Sequence, residues 1–592
     1  MIKMPVIAVV LSALLAACSS APVHKNYIPI EPEGSSGYTE KLGWVAKKYM
    51  VAAANPLAVD AGYQILKAGG SAVDAAIATQ MVLGLVEPQS SGIGGGAFLL
   101  HYDGSRVKAF DGRETAPDNA SGKLFQTADD KAMPFHEAVV GGRSVGVPGV
   151  LRMLELAHQQ YGKLPWATLF APAIQLATDG FAVSPRLATL LQSETYLKND
   201  PVAAAYFYDK DGKPRPVGYL LKNPALAATL TTIANEGANA FYRGQIAQDI
   251  ADKVNKHPTN PGGLSVRDMA TYRAKVREPI CSDYKSWIVC GMPPPSSGGI
   301  AIAQILGILE TKDMRALAPV DGAWNAEAVH LFSEAGRLAY ADRDRYIGDP
   351  EFVSFPGGSA RPLLDKKYLI QRAALIREES MKKAQPGRPF GARVALGNNT
   401  SLELPSTSHI SIVDGNGHAV SMTTTIENGF GSRQMVDGFL LNNELTDFSF
   451  NATDANGLVA NRVQPGKRPR SSMSPTFVFE KGTQKLVLSI GSPGGASIIN
   501  YVGKVLIGTM DWGLNVQQAI NLPNVGSRNG PTELEQGRVS NALVNALVAK
   551  GHEVQVLEQT SGLQGIMRLN IHGEEVWFGG ADPRREGIAK GD

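Results

Sequence analysis

Residues 405–425 read P-S-T-S-H-I-S-I-V-D-G-N-G-H-A-V-S-M-T-T-T, and this stretch is the most informative part of the chain. Strand-forming residues lie on both sides of G-N-G at 415–417, whose residue types tolerate the positive φ of a tight loop. The pattern predicts a β-hairpin. If the loop is those three residues, Thr407 and Thr425 face each other at the open end of the hairpin. A loop one residue longer would shift this register.

The facing threonines have a chemical interpretation and a structural one. An internal threonine hydroxyl is a weak nucleophile, but a threonine at the start of a chain carries its own base, because a free α-amino group has a pKa of roughly 8. Exposing Thr407 in this way requires cleavage between Ser406 and Thr407. Threonine is also a common strand residue, so the hairpin alone leaves the structural interpretation open.

The surrounding sequence favours the chemical interpretation, because several motifs resemble those of γ-glutamyltransferases and follow the order found in that family. These motifs are A-N-P-L-A-V-D-A-G-Y-Q-I-L-K-A-G-G-S-A-V-D-A-A-I-A (54–78), V-E-P-Q-S-S-G-I-G-G-G (86–96), D-G-R-E-T-A-P (111–117), M-P-P-P-S-S-G-G (292–299), G-K-R-P-R-S-S-M-S-P-T (466–476), G-S-P-G-G (491–495) and G-A-D-P-R (580–584). The resemblance extends over nearly the whole mature chain.

This resemblance implies an α+β fold, the four-layer αββα sandwich of N-terminal-nucleophile hydrolases, built from two autoprocessed fragments. Residues 41–406 would form the large subunit and residues 407–592 the small catalytic subunit. The residues by themselves indicate only mixed α and β structure, with helical spacing common before residue 407 and strand patterns common after it. Because matching motifs lie on both sides of the cut, both subunits are expected to build one pocket.

The family resemblance also implies the reaction: γ-glutamyl transfer and hydrolysis on glutathione and related γ-glutamyl compounds. Thr407 would form a γ-glutamyl ester, which water, an amino acid or a dipeptide then accepts. Thr425 is expected to hydrogen-bond to this nucleophile. Gly494 and Gly495 precede a predicted helix, and their N–H groups are expected to stabilise the oxyanion.

Binding of the donor requires groups for an α-carboxylate and an α-ammonium. Arg113, Ser471 and Ser472 match the residues of the family that bind the carboxylate, and an arginine fork suits bidentate pairing. Glu444 and Asp447 match the acidic or amide pair that binds the ammonium, where negative charge suits a desolvated cation.

Two features depart from the family pattern. Glu427 stands where familiar bacterial members have asparagine, and this additional carboxylate either strengthens amine binding or indicates a different acyl donor. The segment between Asp447 and Lys467 is shorter than the usual lid loop and lacks its aromatic latch. This difference predicts more open access for the acceptor.

Two alternative functions are considered. One is a cephalosporin or glutaryl acylase-type amidase on the same scaffold, whose substrates carry no α-ammonium; Arg113, Glu444 and Asp447 argue against it. The other is a non-catalytic envelope lipoprotein, and the presence of both threonines and both oxyanion glycines argues against that.

The first residues indicate export. Lys3 precedes the apolar run V-I-A-V-V-L-S-A-L-L-A-A at 6–17, which is too short for a bilayer span of about 20 residues. The run ends in L-A-A-C-S-S, which resembles a bacterial lipoprotein processing box. Residues 1–17 are therefore predicted to be a lipoprotein signal peptide, Cys18 the lipidated residue and residues 18–40 a tether. The expected location is the periplasm, on an outer-membrane lipid anchor; an ordinary secretory cut is the alternative.

The two remaining cysteines lie in I-C-S-D-Y-K-S-W-I-V-C, at 280–290. A two-residue turn at 285–286 would place Cys281 opposite Cys290 at a non-hydrogen-bonded position, where Cα atoms approach to roughly 4.5 Å and a disulfide can form. Two free thiols are the alternative.

Composition narrows the function classes further. The net charge is +2 over 592 residues, which argues against a dedicated nucleic-acid surface. The ten histidines show neither H-E-x-x-H nor a Cys/His ligand spacing, so neither a catalytic metal nor any other cofactor is predicted.

Overall fold

Two seven-stranded sheets lie at the centre of the computed structural model. The structure describes residue 35 and residues 37–592, apart from 393–395, 400, 402 and 405. The predicted signal peptide, Cys18 and most of the predicted tether lie outside the described residues.

The first sheet contains the predicted hairpin, and we call it the nucleophile sheet. Its strand order is Ile588–Gly591, Met50–Ala53, Thr407–Val413, Ala419–Thr425, Gly96–Tyr102, Val107–Gly112 and Lys275–Arg277. The second, the partner sheet, has the order Trp44–Ala46, Glu574–Ala581, Gln564–Ile571, Leu486–Gly491, Thr476–Glu480, Trp287–Gly291 and Ile280–Tyr284.

Smaller sheets and helices complete the described part of the chain. The short strands are Phe181–Ala182, Leu220–Leu221, Leu396–Gly397, Met435–Val436, Phe439–Leu440, Thr453–Asp454, Gly457–Val459, Val525–Gly526, Thr532–Glu535 and Val554–Leu557. The α-helices are Pro56–Lys67, Ala72–Val86, Phe135–Val139, Val150–Tyr161, Ala171–Asp179, Pro185–Ser193, Pro201–Phe207, Pro224–Glu236, Asn239–Tyr242, Gln245–Asn255, Val266–Thr271, Gly298–Leu309, Ala326–Tyr346, Lys366–Ala373, Ile498–Met510, Val516–Asn521 and Asn541–Ala549.

The hairpin at 407–425 has the predicted register. Its two strands pair antiparallel, and Thr407 lies directly opposite Thr425. Asp414 stabilises the loop, because its Oδ1 accepts hydrogen bonds from the N–H groups of Asn416 (2.9 Å) and His418 (3.1 Å). The three-residue loop is therefore confirmed, and it places the two threonines together.

Alternation along the strands produces the layers, because successive side chains point to opposite faces of a sheet. In the nucleophile sheet, Ile410 and Ile412 pack with apolar side chains of the helices Pro56–Lys67 and Ala72–Val86. The intervening Ser411 faces the partner sheet and shares a 3.0 Å hydrogen bond with Ser489. One helical layer thus covers one face of this sheet, and the partner sheet covers the other.

The second helical layer packs on the far face of the partner sheet. Ile490 follows Ser489 and points away from the nucleophile sheet, into a cluster with the helices Gly298–Leu309 and Ile498–Met510. The order of layers is helix, sheet, sheet, helix, which confirms the predicted αββα sandwich.

The cysteine hairpin is also confirmed. The strands Ile280–Tyr284 and Trp287–Gly291 pair with Cys281 opposite Cys290, and the two cysteines form a disulfide with Cα atoms 4.0 Å apart. The alternative of two free thiols is wrong for this structure. Among the described residues, no helix combines the length and apolarity that crossing a bilayer requires.

Candidate active site

Thr407 begins a central strand of the nucleophile sheet, at the end where the hairpin opens. It has the same parity as Ser411 and so lies on the face turned toward the partner sheet. The structure describes the uncut chain, with Ser406 immediately before it. Thr407 is almost fully buried, and an internal position of this kind leaves no free α-amine.

The hydroxyl of Thr425 points at the bond that is predicted to be cut. Its Oγ1 donates to the carbonyl oxygen of Ser406 at 2.9 Å and accepts from the N–H of Glu427 at 2.7 Å. Because the N–H of Glu427 donates to a lone pair of Oγ1, the hydroxyl proton of Thr425 is directed at the carbonyl oxygen of Ser406. Thr425 therefore polarises the carbonyl of Ser406, a contact that the sequence interpretation, which paired Thr425 with the nucleophile, did not include.

A cavity of about 20 Å³ lies beside these residues. It is lined by Arg113, Glu403, Leu404, Thr407, Thr425, Glu427, Glu444, Asp447, Ser471, Ser472, Met473, Gly495 and Ile498. All the substrate-binding residues predicted from the sequence are on this wall. The volume holds roughly one water molecule, so the cavity in this structure is too small for a glutamyl group.

Arg113 is fully buried and bound by carboxylates. Its guanidinium pairs with Glu444 and, at 2.5 Å, with Asp447, and it also donates to the carbonyl oxygens of Pro469 (3.1 Å) and Arg470 (2.9 Å). Sequence reasoning placed Arg113 at one end of the donor and the two acids at the other. In the uncut chain they bind each other, so the donor's two charged groups would bind within one ion-pair cluster.

The cluster contains more carboxyl groups than cations. Burial raises the pKa of Glu114, Glu427, Glu444 and Asp447, and repulsion between neighbouring acids adds to the rise at Glu114 and Glu427, while Arg113 opposes it at Glu444 and Asp447. Among the described residues, Oε2 of Glu444 and Oδ1 of Asp447 have no hydrogen-bond partner. A cationic ligand with several N–H donors would satisfy these oxygens and lower the pKa of each acid.

Glu427 lies on the acidic side of this cavity. Its carboxyl group accepts hydrogen bonds from the side-chain amide of Asn443 and from the N–H of Leu404 at 3.3 Å. Asp447 and Glu444 are the charges that repel it. Of the two interpretations left open by the sequence, this position favours a contribution to amine binding.

The two serines of the S-S motif have different surroundings. Ser471 is held by its backbone, which donates to the carbonyl of Pro295 at 3.0 Å and accepts from the N–H of Ser297 at 2.7 Å. Ser472 Oγ accepts from Arg343 at 2.5 Å and donates to Glu403 at 2.5 Å. Sequence reasoning missed Arg343 and Glu403, and also Arg470; the signal available for Arg470 was its place in G-K-R-P-R-S-S.

The predicted oxyanion loop adopts backbone conformations that favour glycine. Gly494 has φ 134° and Gly495 has φ 54°. A Cβ atom at Gly495 would come within 2.6 Å of the carbonyl oxygen of Glu403. The short turn Gly495–Ser497 then leads into the predicted helix, which begins at Ile498. Gly495 lines the cavity, whereas Gly494 is its neighbour in the chain and is not among the lining residues.

The segment after Asp447 forms a small sheet. Its strands Thr453–Asp454 and Gly457–Val459 pair antiparallel, and Leu396–Gly397 pairs parallel to the second of them. Phe450 stacks on Phe125 with ring centroids 4.6 Å apart. The prediction of open acceptor access stays a prediction.

One group of described residues has the ligand types of a metal site: His330, Glu334 and His552. The two imidazoles share a 2.8 Å hydrogen bond, His330 also bonds to the carbonyl of Arg377, and Glu334 pairs with Arg337 at 2.7 Å. These bonds satisfy the three side chains, so we interpret the group as a buried hydrogen-bond network.

Two facing sheets between helical layers, with a threonine at the start of a central strand, define an N-terminal-nucleophile hydrolase. Comparison with known sequences identifies the family: the sequence model described as Gamma-glutamyltranspeptidase matches residues 58–592. The chain belongs to the γ-glutamyltranspeptidase family.

Relatives cover nearly the whole chain. A glutathione hydrolase proenzyme of Escherichia coli (strain K12) is 38% identical over 592 residues, covering 97% of each chain. One of Bacillus subtilis (strain 168) is 37% identical over 594 residues, covering 98% of this chain and 97% of its own. The Acylase ACY 1 proenzyme of Pseudomonas sp. (strain SE83) is 34% identical and covers 90% of this chain and 92% of its own.

Solved structures include both kinds of relative. A cephalosporin acylase from Bacillus halodurans superposes with a TM-score of 0.81 at 29% identity, covering 95% of this chain and 99% of its own. A γ-glutamyltranspeptidase from Helicobacter pylori has a TM-score of 0.53 at 32% identity, covering 61% of this chain and all of its own.

Proposed function

We propose that the chain is a precursor that cuts itself between Ser406 and Thr407, and that the product transfers and hydrolyses γ-glutamyl groups of glutathione and related compounds. One observation carries the proposal: the carbonyl oxygen of Ser406 accepts a hydrogen bond from the hydroxyl of Thr425. This contact lies beside Thr407 and beside the cluster that Arg113 forms with acidic side chains. The fragments would be a large subunit ending at residue 406 and a small subunit of residues 407–592.

Self-cleavage follows from this geometry. The hydroxyl oxygen of Thr407 attacks the carbonyl carbon of Ser406, and the negative charge that develops on the carbonyl oxygen is stabilised by the hydroxyl of Thr425. The C–N bond breaks, the amide nitrogen takes the proton lost by the Thr407 hydroxyl, and an ester between the carbonyl carbon of Ser406 and Oγ1 of Thr407 remains. Water hydrolyses the ester, which leaves a carboxylate on Ser406 and a free α-amine on Thr407.

The mature enzyme uses the same oxygen with a better base. The new α-amine of Thr407 takes the hydroxyl proton as Thr407 attacks the γ-amide of the donor. Gly494 and Gly495 would supply N–H groups to the oxyanion once residues before the cut have left Gly495 exposed. The leaving amine departs, and water, an amino acid or a dipeptide takes the γ-glutamyl group from the ester.

The ion-pair cluster would orient the donor. Arg113, with Ser471 and Ser472, binds the α-carboxylate, and Glu444 and Asp447 bind the α-ammonium through oxygens that have no other partner. Glu427 adds negative charge beside this pair. An acyl group without the amine would leave Oε2 of Glu444 and Oδ1 of Asp447 without a hydrogen-bond donor, which costs binding energy.

A comparison of two donors tests this assignment. We expect kcat/KM for γ-glutamyl-p-nitroanilide to exceed that for glutaryl-p-nitroanilide by roughly 100-fold, since the glutaryl group has the carboxylate but lacks the ammonium. The overall likeness to the Bacillus halodurans cephalosporin acylase supports a second candidate, an acylase-type amidase. A preference for the glutaryl donor would establish that second function in place of the first.

Replacing Thr425 with valine should slow self-cleavage by about 100-fold, because it removes one hydrogen-bond donor from the developing oxyanion. The measurement is the time course of fragment formation on denaturing gels. The matched control is Thr424→Val, a buried threonine of the same strand whose hydroxyl bonds to the carbonyl of Gly96 at 3.4 Å. Equal cleavage rates for the two variants would refute the role of Thr425.

We also propose that Cys18 is lipidated and holds the enzyme on the periplasmic face of the outer membrane; the support is the sequence of residues 1–18. The unaltered protein should sediment with membranes and require detergent for release, whereas Cys18→Ser should be found in the soluble fraction. Equal distribution of both proteins would rule out the anchor.

A further inference from the structure

A charged side chain anchors the segment that precedes the cut. Glu403 lies four positions before Thr407 and is buried. Its carboxylate pairs with the guanidinium of Arg343, accepts from Arg470 Nη2 at 3.0 Å and accepts from Ser472 Oγ at 2.5 Å. Glu403 thus connects residues from both sides of the cut.

The charge balance of this anchor requires an anion at this position. Asp344 forms ion pairs with Arg343 at 2.8 Å and with Arg470 at 3.1 Å, so one carboxylate is shared by two guanidinium groups. Glu403 supplies the second negative charge. Burial alone would raise the pKa of Glu403, but Arg343 and Arg470 lower it to about 2, so the carboxylate is ionised.

The backbone that follows Glu403 is held at several points up to the scissile bond. The carbonyl of Glu403 accepts from the N–H of Ala496 at 3.5 Å, and Leu404 N–H donates to Glu427 at 3.3 Å. The hydroxyl of Ser406 donates to the carbonyl of Gln89 at 2.5 Å. These hydrogen bonds hold the segment close to Thr407, and the ion pairs of Glu403 hold its more distant end.

We propose that Glu403 is a positioning residue for self-cleavage. Its bonds to Arg343, Arg470 and Ser472 hold the segment so that the carbonyl of Ser406 stays on the hydroxyl of Thr425. The proposal rests on the proposed cleavage between Ser406 and Thr407. The same contact has a second consequence. The carboxylate of Glu403 accepts the hydroxyl proton of Ser472, a predicted ligand of the donor's carboxylate. The donor therefore cannot bind Ser472 until cleavage releases the segment.

The test is the rate of cleavage of the full chain after synthesis in vitro. We expect Glu403→Gln to slow fragment formation by at least about tenfold, because small misplacements of reacting groups have large effects on rate. Glu403→Asp keeps the charge and should recover part of this loss. The matched control is Glu334→Gln, which removes a buried glutamate paired with Arg337 in the same predicted subunit and should cleave within about twofold of the unaltered rate.

A double variant separates positioning from a general effect on folding. If Glu403 acts through Ser472, adding Ser472→Ala to Glu403→Gln should slow cleavage less than Ser472→Ala does in the unaltered chain. Near-ultraviolet circular dichroism and the unfolding temperature of each purified chain report folding independently of cleavage. A Glu403→Gln chain that cuts at the unaltered rate would overturn the proposal, as would an equal slowing by Glu334→Gln.

The Thr407→Ala variant distinguishes a failure of the role proposed for Glu403 from a failure of the proposed cleavage itself. If Thr407→Ala is still cut at this junction, the nucleophile assignment fails and the role of Glu403 fails with it. If Thr407→Ala stays uncut while Glu403→Gln is cut at the normal rate, only the role of Glu403 is refuted.

Discussion

Replacing Thr407 with alanine should leave a single uncut chain with at least about 10⁴-fold lower activity on γ-glutamyl-p-nitroanilide, the size of loss that follows removal of a nucleophile. One oxygen atom is used twice in this account, first against the carbonyl of Ser406 and then against the donor. Alanine removes that oxygen while keeping the strand position. Denaturing gels measure cleavage, and release of p-nitroaniline measures activity.

The control for this variant is Thr407→Ser, which keeps a hydroxyl group and, after cleavage, a free α-amine. It should be cut and active, with lower rates for both steps because the methyl group that limits rotation of the hydroxyl is lost. Two normal fragments from Thr407→Ala would refute the assignment of Thr407 as the cleaving nucleophile.

Replacing Arg113 with lysine should lower kcat/KM for γ-glutamyl-p-nitroanilide by about 100-fold in the fraction of protein that is cut. Lysine keeps the charge but loses the planar fork that pairs with two carboxylates at once. In the structure that fork binds Glu444 and Asp447 and donates to two backbone carbonyls. A point charge cannot hold these partners and the donor's carboxylate in the same geometry.

Arg337→Lys is the matched control for Arg113→Lys. Arg337 is equally buried and pairs with Glu334, and neither residue lines the cavity. Both variants should lower the unfolding temperature, but only Arg113→Lys should lower kcat/KM of the cut enzyme. An unchanged kcat/KM for Arg113→Lys would show that the guanidinium does not bind the donor.

The parts of the fold that the sequence predicted are those set by local rules. The loop at 415–417, in which Gly417 has φ 78°, fixes the hairpin register, and this register places Thr407 opposite Thr425. The turn at 285–286 does the same for Cys281 and Cys290. In each case the register depends on the length of a short loop, so its prediction required no knowledge of distant contacts.

The contacts that could not be predicted join segments that are distant in sequence. Arg113 meets Glu444 and Asp447 across the predicted cut, and their mutual ion pairing joins residues that are more than 300 positions apart in the sequence. Family motifs identified these residues but gave no information about which of them bind each other before cleavage. The direction of the Thr425 hydroxyl likewise depends on the position of the Glu427 N–H.

The role of Glu403 could not be predicted from the sequence either. The residue stands close to Thr407 in the sequence, yet a lone glutamate in a connecting segment has no pattern that predicts burial. Its role is visible only when Arg343, from the helix Ala326–Tyr346, and Arg470 are seen to converge on it.

The most direct test of the account is the intact mass, with N-terminal sequencing, of the active protein purified from cells. We expect two fragments, the smaller beginning at Thr407, with activity proportional to the amount of that fragment. A fully active protein that remains one continuous chain across Ser406 and Thr407 would contradict it.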